Sequence, residues 1–332
     1  MAGNTARPPV HVVVAVLASM LLLVAVVTAA APYNWIANLL AELRLQQCIA
    51  ILIVAALTVL RRQWIVLTIL LMTLSMHAPA IFSGIGLSSA SARSSGPSNR
   101  AVRDAAPWTI TVVNALISNQ RHGEVIAEIL QSDPDVFVVI ELSHELSDKI
   151  SAHTEHCYPH RMTRPISDHA FGIGIFSKHP ISHSEIFSFA HEIDSIAATI
   201  DIDGRKCRVY ATHPLPPVSE FNFNQRNDHL TRLARKILTD RKTSPGLPTV
   251  VVGDMNATPW APALSQFSNT TRLRLANVGL DWTPTHYSGP SWFPFGIMID
   301  HVLISPTLTC LSKTVGKNVG SDHRSVTCTL GW

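Results

Sequence analysis

A chain of 332 residues with 47% hydrophobic residues and a mean hydropathy of +0.22 is more apolar than an ordinary soluble enzyme, and the excess lies in its first quarter. Its 26 basic and 23 acidic residues leave a net charge of only +3, which excludes a nucleic-acid binder held by a global basic field.

Val10–Ala31 is a continuous apolar run of 22 residues, enough to cross roughly 30 Å of hydrocarbon. Arg7 and the small residues at its end also fit a signal peptide. Two more apolar segments follow, however: Cys48–Leu60, which is short unless Leu45–Gln47 join it, and Trp64–Phe82. One cleaved leader does not explain three segments, so residues 1–82 are expected to be a membrane anchor of three transmembrane helices. Arg7 precedes the first span and Arg61-Arg62 separate the second from the third; both fall on one side, which the distribution of basic residues marks as cytoplasmic. Everything after Phe82 then lies outside. Between the first two spans, Trp35, Ile36, Leu39, Leu40 and Leu43 recur at helical spacing, as in an interfacial amphipathic helix. A connecting helix or the start of the second span fits them equally.

Residues 83–106 are rich in Ser and Gly with little to bury, the composition of a tether. From residue 107 to 332 the pattern becomes mixed α/β. TITVVNALI reads as a strand, and GEVIAEILQSD as a helix with Val125, Ile126, Ile129 and Leu130 on one face, stopped by Pro134. DVFVVIEL is a continuous apolar run, as buried strands are. FGIGIFSKHPI and IAATIDIDGRKCRVYATHP read as strands joined by turns, with DIDGRK a hairpin. Asn224–Leu238 is a charged amphipathic helix, and PTVVVGDMN, MIDHVLISP and HRSVTCTLGW supply the last strands. The order predicts two packed sheets with helices outside. Cys157, Cys207, Cys310 and Cys328 permit disulfides, but no spacing demands them, and buried thiols fit as well.

Apolar strands repeatedly finish on a chemically capable side chain. The first ends on Asn114, the next on Glu141, and VYATH reaches His213. TVVVGDMN supplies Asp254 and Asn256, MIDH supplies Asp300, and GSDH brings Asp322 and His323 before the final strand. Strand ends far apart in sequence converge in a sheet protein, and so many polar groups cost stability unless they satisfy one another or a ligand. Carboxylates, amides and imidazoles without thiolate suit a hard divalent ion, Mg2+ or Mn2+. Such an ion offsets phosphate charge while a carboxylate or imidazole prepares water for in-line attack. Alternation along an extended segment would send Asp254 and Asn256 to one face. Singly, each residue has a plainer reading. Asp254 and Asn256 could shape a turn before Pro259, Glu141 could start a helix, Asp322 could cap one, and His213 or Asn114 could be structural.

Asn114, Glu141, His213, G-D-M-N at 253–256, I-D-H at 299–301 and S-D-H at 321–323, in this order, resemble the endonuclease/exonuclease/phosphatase superfamily with the DNase I-like fold. That resemblance covers Trp108–Trp332 and implies a four-layer αββα sandwich with a Mg2+ site at one end of the sheets. It implies that Glu141 is the principal metal ligand with Asn114 beside it and Asp322 close by. It also implies that His213 contacts the phosphate or protonates the leaving group. Asp254 would orient or activate the water, Asn256 would bind a phosphate oxygen, and Asp300 would hold His323. Whether Asp254 or His323 takes the proton stays open, and Ile140 stands where the family usually has Gln.

Three spans followed by an outer domain of this kind resemble the teicoplanin-resistance type of membrane phosphatase, which implies a polyprenyl diphosphate-like lipid as substrate and the bilayer as partner. The rivals are a tethered nuclease, which a dense Lys/Arg stripe would favour and the sequence lacks; a sphingomyelinase- or phospholipase C-like enzyme; and a membrane adaptor with a relic site. HTEHCYPH at 153–160 offers a zinc alternative without a second ligand cluster. The aromatic-Pro stretch 281–296 is expected to be either a lip over the site or a packed loop.

Overall fold

The computed structural model describes residues 9–84, 106–189, 193–287 and 296–332. The expected tether falls almost wholly outside these residues, as do Trp292, Phe293 and Phe295 of the aromatic stretch.

Among the described residues, four helices precede the α/β domain: α1 (Val10–Thr28), α2 (Trp35–Glu42), α3 (Arg44–Leu60) and α4 (Trp64–Gly84). Helices α1 and α4 are long and apolar enough to cross a membrane; α2 and α3 meet at 65°, and the count becomes three if that bent pair is one span. Val14, Ala18, Ile51, Val54 and Leu70 knit α1, α3 and α4 into a bundle. The segment between the first two spans is a helix in its own right. Asn34 caps it, accepting from the Ala37 main-chain N–H. Its polar residues Asn38 and Glu42 are buried, while Ile36, Leu39 and Leu43 are exposed, so its polar side faces protein rather than water.

The domain alternates strands and helices: β1 (Trp108–Asn114), α5 (His122–Ser132), β2 (Val136–Ile140), α6 (His144–Thr154), β3 (His160–Arg164), β4 (Ile173–Ser177), β5 (Ile181–Ser188), β6 (Asp194–Ile202) and β7 (Arg205–Ala211). Then come α7 (Glu220–Thr243), β8 (Thr249–Asp254), α8 (Pro262–Thr271), β9 (Arg274–Leu275), β10 (Asp300–Ile304), β11 (Thr309–Val315) and β12 (Val326–Gly331). One six-stranded sheet has the order β11-β12-β1-β2-β4-β3 and the other β5-β6-β7-β8-β10-β9. Each holds one parallel pair, β1 with β2 and β7 with β8, at its centre. Ile110, Val138, Ile175, Ile200, Val209 and Val252 fill the space between the sheets. Outside, α5 and α6 cover the first sheet and α7 and α8 the second, each over its own apolar cluster. The result is the expected αββα sandwich.

Central strands such as VFVVI are buried on both sides, which is why they read as unbroken apolar runs. Helix α5 stops at Asp133 in the left-handed conformation before Pro134. On it Val125, Ile126 and Ile129 face the core, but Leu130 turns out to be 40% exposed, lying one residue past the buried stripe. The edge strands β3 and β11, HRMTR and TCLSKTV, are polar and half-exposed, a composition that hides strands from pattern reading and protects edges. All five cysteines are free thiols.

Candidate active site

Two ladder registers bring the polar strand ends together. Parallel pairing sets Asn114 of β1 against Ile140 of β2, so Glu141 emerges beside it. Antiparallel pairing sets Asp254 of β8 directly opposite Asp300 of β10. Close approach of β8 to the end of β7 then adds His213. A Cβ at Gly253 would meet the Thr212 carbonyl oxygen at 1.9 Å, so only glycine lets the strands come this near.

Asn114 is the hub. Its amide donates to Glu141 Oε1 at 3.2 Å and Asp254 Oδ2 at 3.2 Å, and lies 3.5 Å from His323 Nε2. Asp254 Oδ2 lies 3.6 Å from His213 Nε2 and 3.7 Å from His323 Nε2. Asp300 Oδ2 meets His323 Nδ1 at 2.8 Å, while Asp300 itself is braced by the Thr285 hydroxyl. The expected Asp300–His323 pair is thus present. Ser321 ties this corner to β1: it donates to the Asn114 carbonyl and accepts from His323 N–H. Asp322 is 4.0 Å from His323 and 3.5 Å from His286.

Glu141 precedes α6 without belonging to it; Ser143 is that helix's cap. Glu141 adopts φ 60°, rare for a non-glycine residue, and its Oε2 accepts from the Ile117 N–H. Asn256 departs from the expected strand alternation. The extended run ends at Asp254, Asn256 turns left-handed at φ 46°, and its N–H donates to Asp254 Oδ1. Acid and amide are therefore joined by a tight turn, and the Asn256 amide donates to the Pro214 carbonyl.

Burial and mutual charge set the ionisation. Burial, reinforced by Asp300, pushes the Asp254 carboxyl up. Burial also raises Glu141, and the negative charge of Asp322 adds to this. For His323 burial acts downward, but Asp300 and Asp254 outweigh it and hold the imidazole charged. His213 is pushed down to about 3 by burial first and by the charge of His323 second, so it is neutral.

Two groups have metal-ligating atoms within 4.8 Å of one another: Asp254, Asp300 and His323, and His286, Asp322 and His323. Asp300 Oδ1 and Asp322 Oδ1 are buried without a hydrogen-bond partner. Crowded carboxylates with orphaned oxygens and no thiolate fit a hard divalent cation. The zinc alternative at 153–160 finds no such grouping among the described residues: His153 closes α6, His156 and Cys157 are exposed, and His160 opens β3.

A cavity of about 540 Å3 opens over these groups. Glu141, His213, Asp254, Asn256 and His323 form its floor, and Phe171, Val218, Ile297 and Ile299 are among its apolar walls. His286, whose ring lies 4.6 Å from that of His323, and Phe171, 5.2 Å from His213, escaped sequence reasoning. His286 stands inside the 281–296 stretch expected to border the site, which was the available signal; Phe171 had none.

The Endonuclease/Exonuclease/phosphatase family matches residues 113–323. The chain belongs to this family. It is accordingly a hydrolase of phosphoester bonds, of a family whose enzymes typically depend on a divalent metal. No curated protein matches it. Among solved structures, the human nocturnin catalytic domain is 20% identical with a TM-score of 0.55, covering 68% of this chain and 94% of that one. Humanized zebrafish TDP2 is 14% identical with a TM-score of 0.55, covering 69% and 100%. Sphingomyelinase C from Streptomyces griseocarneus is 14% identical with a TM-score of 0.52, covering 68% and 99%. At these identities the likeness establishes the shared fold.

Proposed function

We propose that this protein is a membrane-anchored, Mg2+-dependent phosphoesterase, with Mn2+ able to substitute, that hydrolyses a phosphate or pyrophosphate ester of a lipid such as a polyprenyl diphosphate. One observation carries the reading: a single cavity has acid, amide and imidazole at its floor and apolar walls supplied partly by the helical anchor. A tethered site also meets lipid headgroups at high effective concentration.

Glu141, Asn114 and Asp322 are the residues proposed to hold the ion, which when bound neutralises phosphoryl charge and polarises the P–O bond. Asp254, whose carboxyl is raised into the range of a working base, accepts the proton of the attacking water. His323, kept cationic by Asp300, faces the phosphoryl oxygens, and neutral His213 donates a hydrogen bond to them. Asn256 contributes a further polar contact. Water forms the new P–O bond as the bond to the leaving group breaks.

The anchor geometry supports an extracytoplasmic domain. Leu45 near the start of α3 and Ile81 near the end of α4 pack with Trp260 of the domain. Arg61 and Arg62 lie at the far turn, about 25 Å of helix away.

The test is phosphate release by the full-length protein in lipid nanodiscs, from a polyprenyl diphosphate, sphingomyelin, and single- and double-stranded DNA. Mg2+-dependent release from the polyprenyl diphosphate is expected. Cleavage of DNA or sphingomyelin with no release from any polyprenyl phosphate would overturn the lipid-phosphatase reading.

A further inference from the structure

Glu42 is the only carboxylate in the first 103 residues, and it is buried. Its partner is Arg226 of α7, 184 positions away and fully enclosed. The Arg226 guanidinium donates to Glu42 Oε1 at 3.4 Å, to Asn38 Oδ1 at 2.7 Å, to Asn227 Oδ1 at 2.8 Å and to the Asn256 carbonyl at 2.6 Å. Glu42 Oε2 accepts from both the main-chain N–H and the hydroxyl of Thr258, each at 2.7 Å. The Trp260 indole donates to the Glu42 carbonyl at 3.1 Å. One end of α2 is thereby fixed to the segment following Asp254. At the other end, the Trp35 indole donates to the carbonyl of Pro217, a cavity-lining residue, at 2.8 Å. Leu39, between these two attachments, and Leu43, which follows Glu42, line the cavity.

Helix α2 is thus fixed at both ends to segments that border the site, and two consequences follow. The apolar wall above the catalytic floor is incomplete without the anchor. Asn256, held left-handed with its N–H on Asp254, has its carbonyl fixed by an arginine whose charge is balanced from the anchor. Buried ion pairs seldom add net stability and are best attested as devices that fix register. Here the register fixed is that of the anchor against the active site.

We propose that α2 is a wall of the substrate site that takes the hydrocarbon chain adjoining the phosphate, and that Glu42 and Arg226 are positioning residues for Asn256. The first part rests on the lipid-linked reading given above. The occupant is the substrate's own chain because the same cavity is continuous from the carboxylates to Leu39 and Leu43, where α2 leads directly into the apolar helix α3.

The experiment uses full-length protein in nanodiscs with Mg2+ and two diphosphates, one on a long polyprenyl chain and one on a water-soluble five-carbon chain. Wild-type protein should favour the long chain in kcat/KM. Leu39→Ser with Leu43→Ser should cut that preference roughly tenfold, mainly through KM, since apolar contact area is what is removed. A preference within twofold of wild type would overturn the wall. A wild-type protein that does not prefer the long chain would instead overturn the lipid reading, so the two failures are distinct. For the positioning pair, Glu42→Gln should lower kcat on both substrates by roughly tenfold or more per folded molecule. Thr258→Val, which keeps every charge and removes one hydroxyl donor, should give a smaller drop in kcat with KM unchanged. If Glu42→Gln does not fold, the Thr258 variant decides alone. Unchanged kcat in the folded variants would overturn the positioning role.

Discussion

The protein holds two buried charge clusters about one short turn apart, and they are built on opposite principles. In the clamp, Glu42, Arg226, Asn38 and Thr258 satisfy one another: both Glu42 oxygens accept, and the Arg226 nitrogens donate to four acceptors. In the candidate active-site cluster, Glu141, Asp254, Asp300 and Asp322 outnumber the cationic His323, and two of their oxygens have no hydrogen-bond partner. A buried group without a partner costs free energy, and a fold keeps it when a ligand supplies what is missing. A satisfied cluster holds structure, whereas an unsatisfied one with acid in excess has the chemistry to hold a cation.

Removing charge should therefore affect the two clusters in different ways. Glu42→Gln leaves Arg226 buried without its counter-charge, and loss of one partner of a buried pair costs about 3–5 kcal/mol. A drop in the thermal midpoint of the detergent-solubilised protein is expected, independent of Mg2+. An unshifted midpoint would mean that the clamp carries no strain-free pairing worth the name.

Divalent cation should act on the other cluster alone. A ligand bound only by the folded state stabilises it by about 2.7 kcal/mol at one hundred times its Kd. Mg2+ is expected to raise the midpoint of protein stripped with EDTA, and Glu141→Gln should abolish most of that rise. Equal Mg2+ shifts in wild type and variant would remove Glu141 from the proposed ligand set.

The two clusters also differed in how visible they were before folding. Candidate site residues stood out because they lie at or next to the ends of apolar strands, and the sandwich followed from the same strands. The ladder register Asp254 opposite Asp300 needed the sheet, but the residue types did not. Edge strands β3 and β11 and helix α8 were not legible, and α6 surfaced only as a helix that Glu141 could start, because polar edges and short helices lack a strong apolar period. Asn256 was placed by strand alternation, yet the strand stops two residues earlier and a left-handed turn takes over. The clamp went unread for a different reason. Helix α2 was recognised from its apolar spacing, but nothing local says that Glu42 meets an arginine 184 residues later. Its one sequence signal was isolation: a lone acid in an apolar anchor must be paired or exposed.

The smallest expected effect concerns protons, and its sign separates the clusters once more. The folded-state pKa of His323 is raised to about 10, since Asp300 and Asp254 outweigh burial. A group raised on folding contributes stability that is complete below its unfolded value, about 6.5, and is lost as pH climbs through the folded value. His213, His229 and His301 are lowered by burial, to about 3, 4 and 4, so their contributions are complete above about pH 6.5 and add no slope there. In EDTA, wild-type protein should therefore lose roughly 1–2 kcal/mol relative to His323→Gln between pH 6.5 and 8. Comparing the two proteins cancels the lysines and tyrosines that titrate further up. Mg2+ should flatten the slope, because a cation beside the imidazole takes over the carboxylates that hold its proton. Parallel stability curves for the two proteins across that range would mean that His323 is neutral in the metal-free fold, and the excess of acid would then be balanced by protons on the carboxylates themselves.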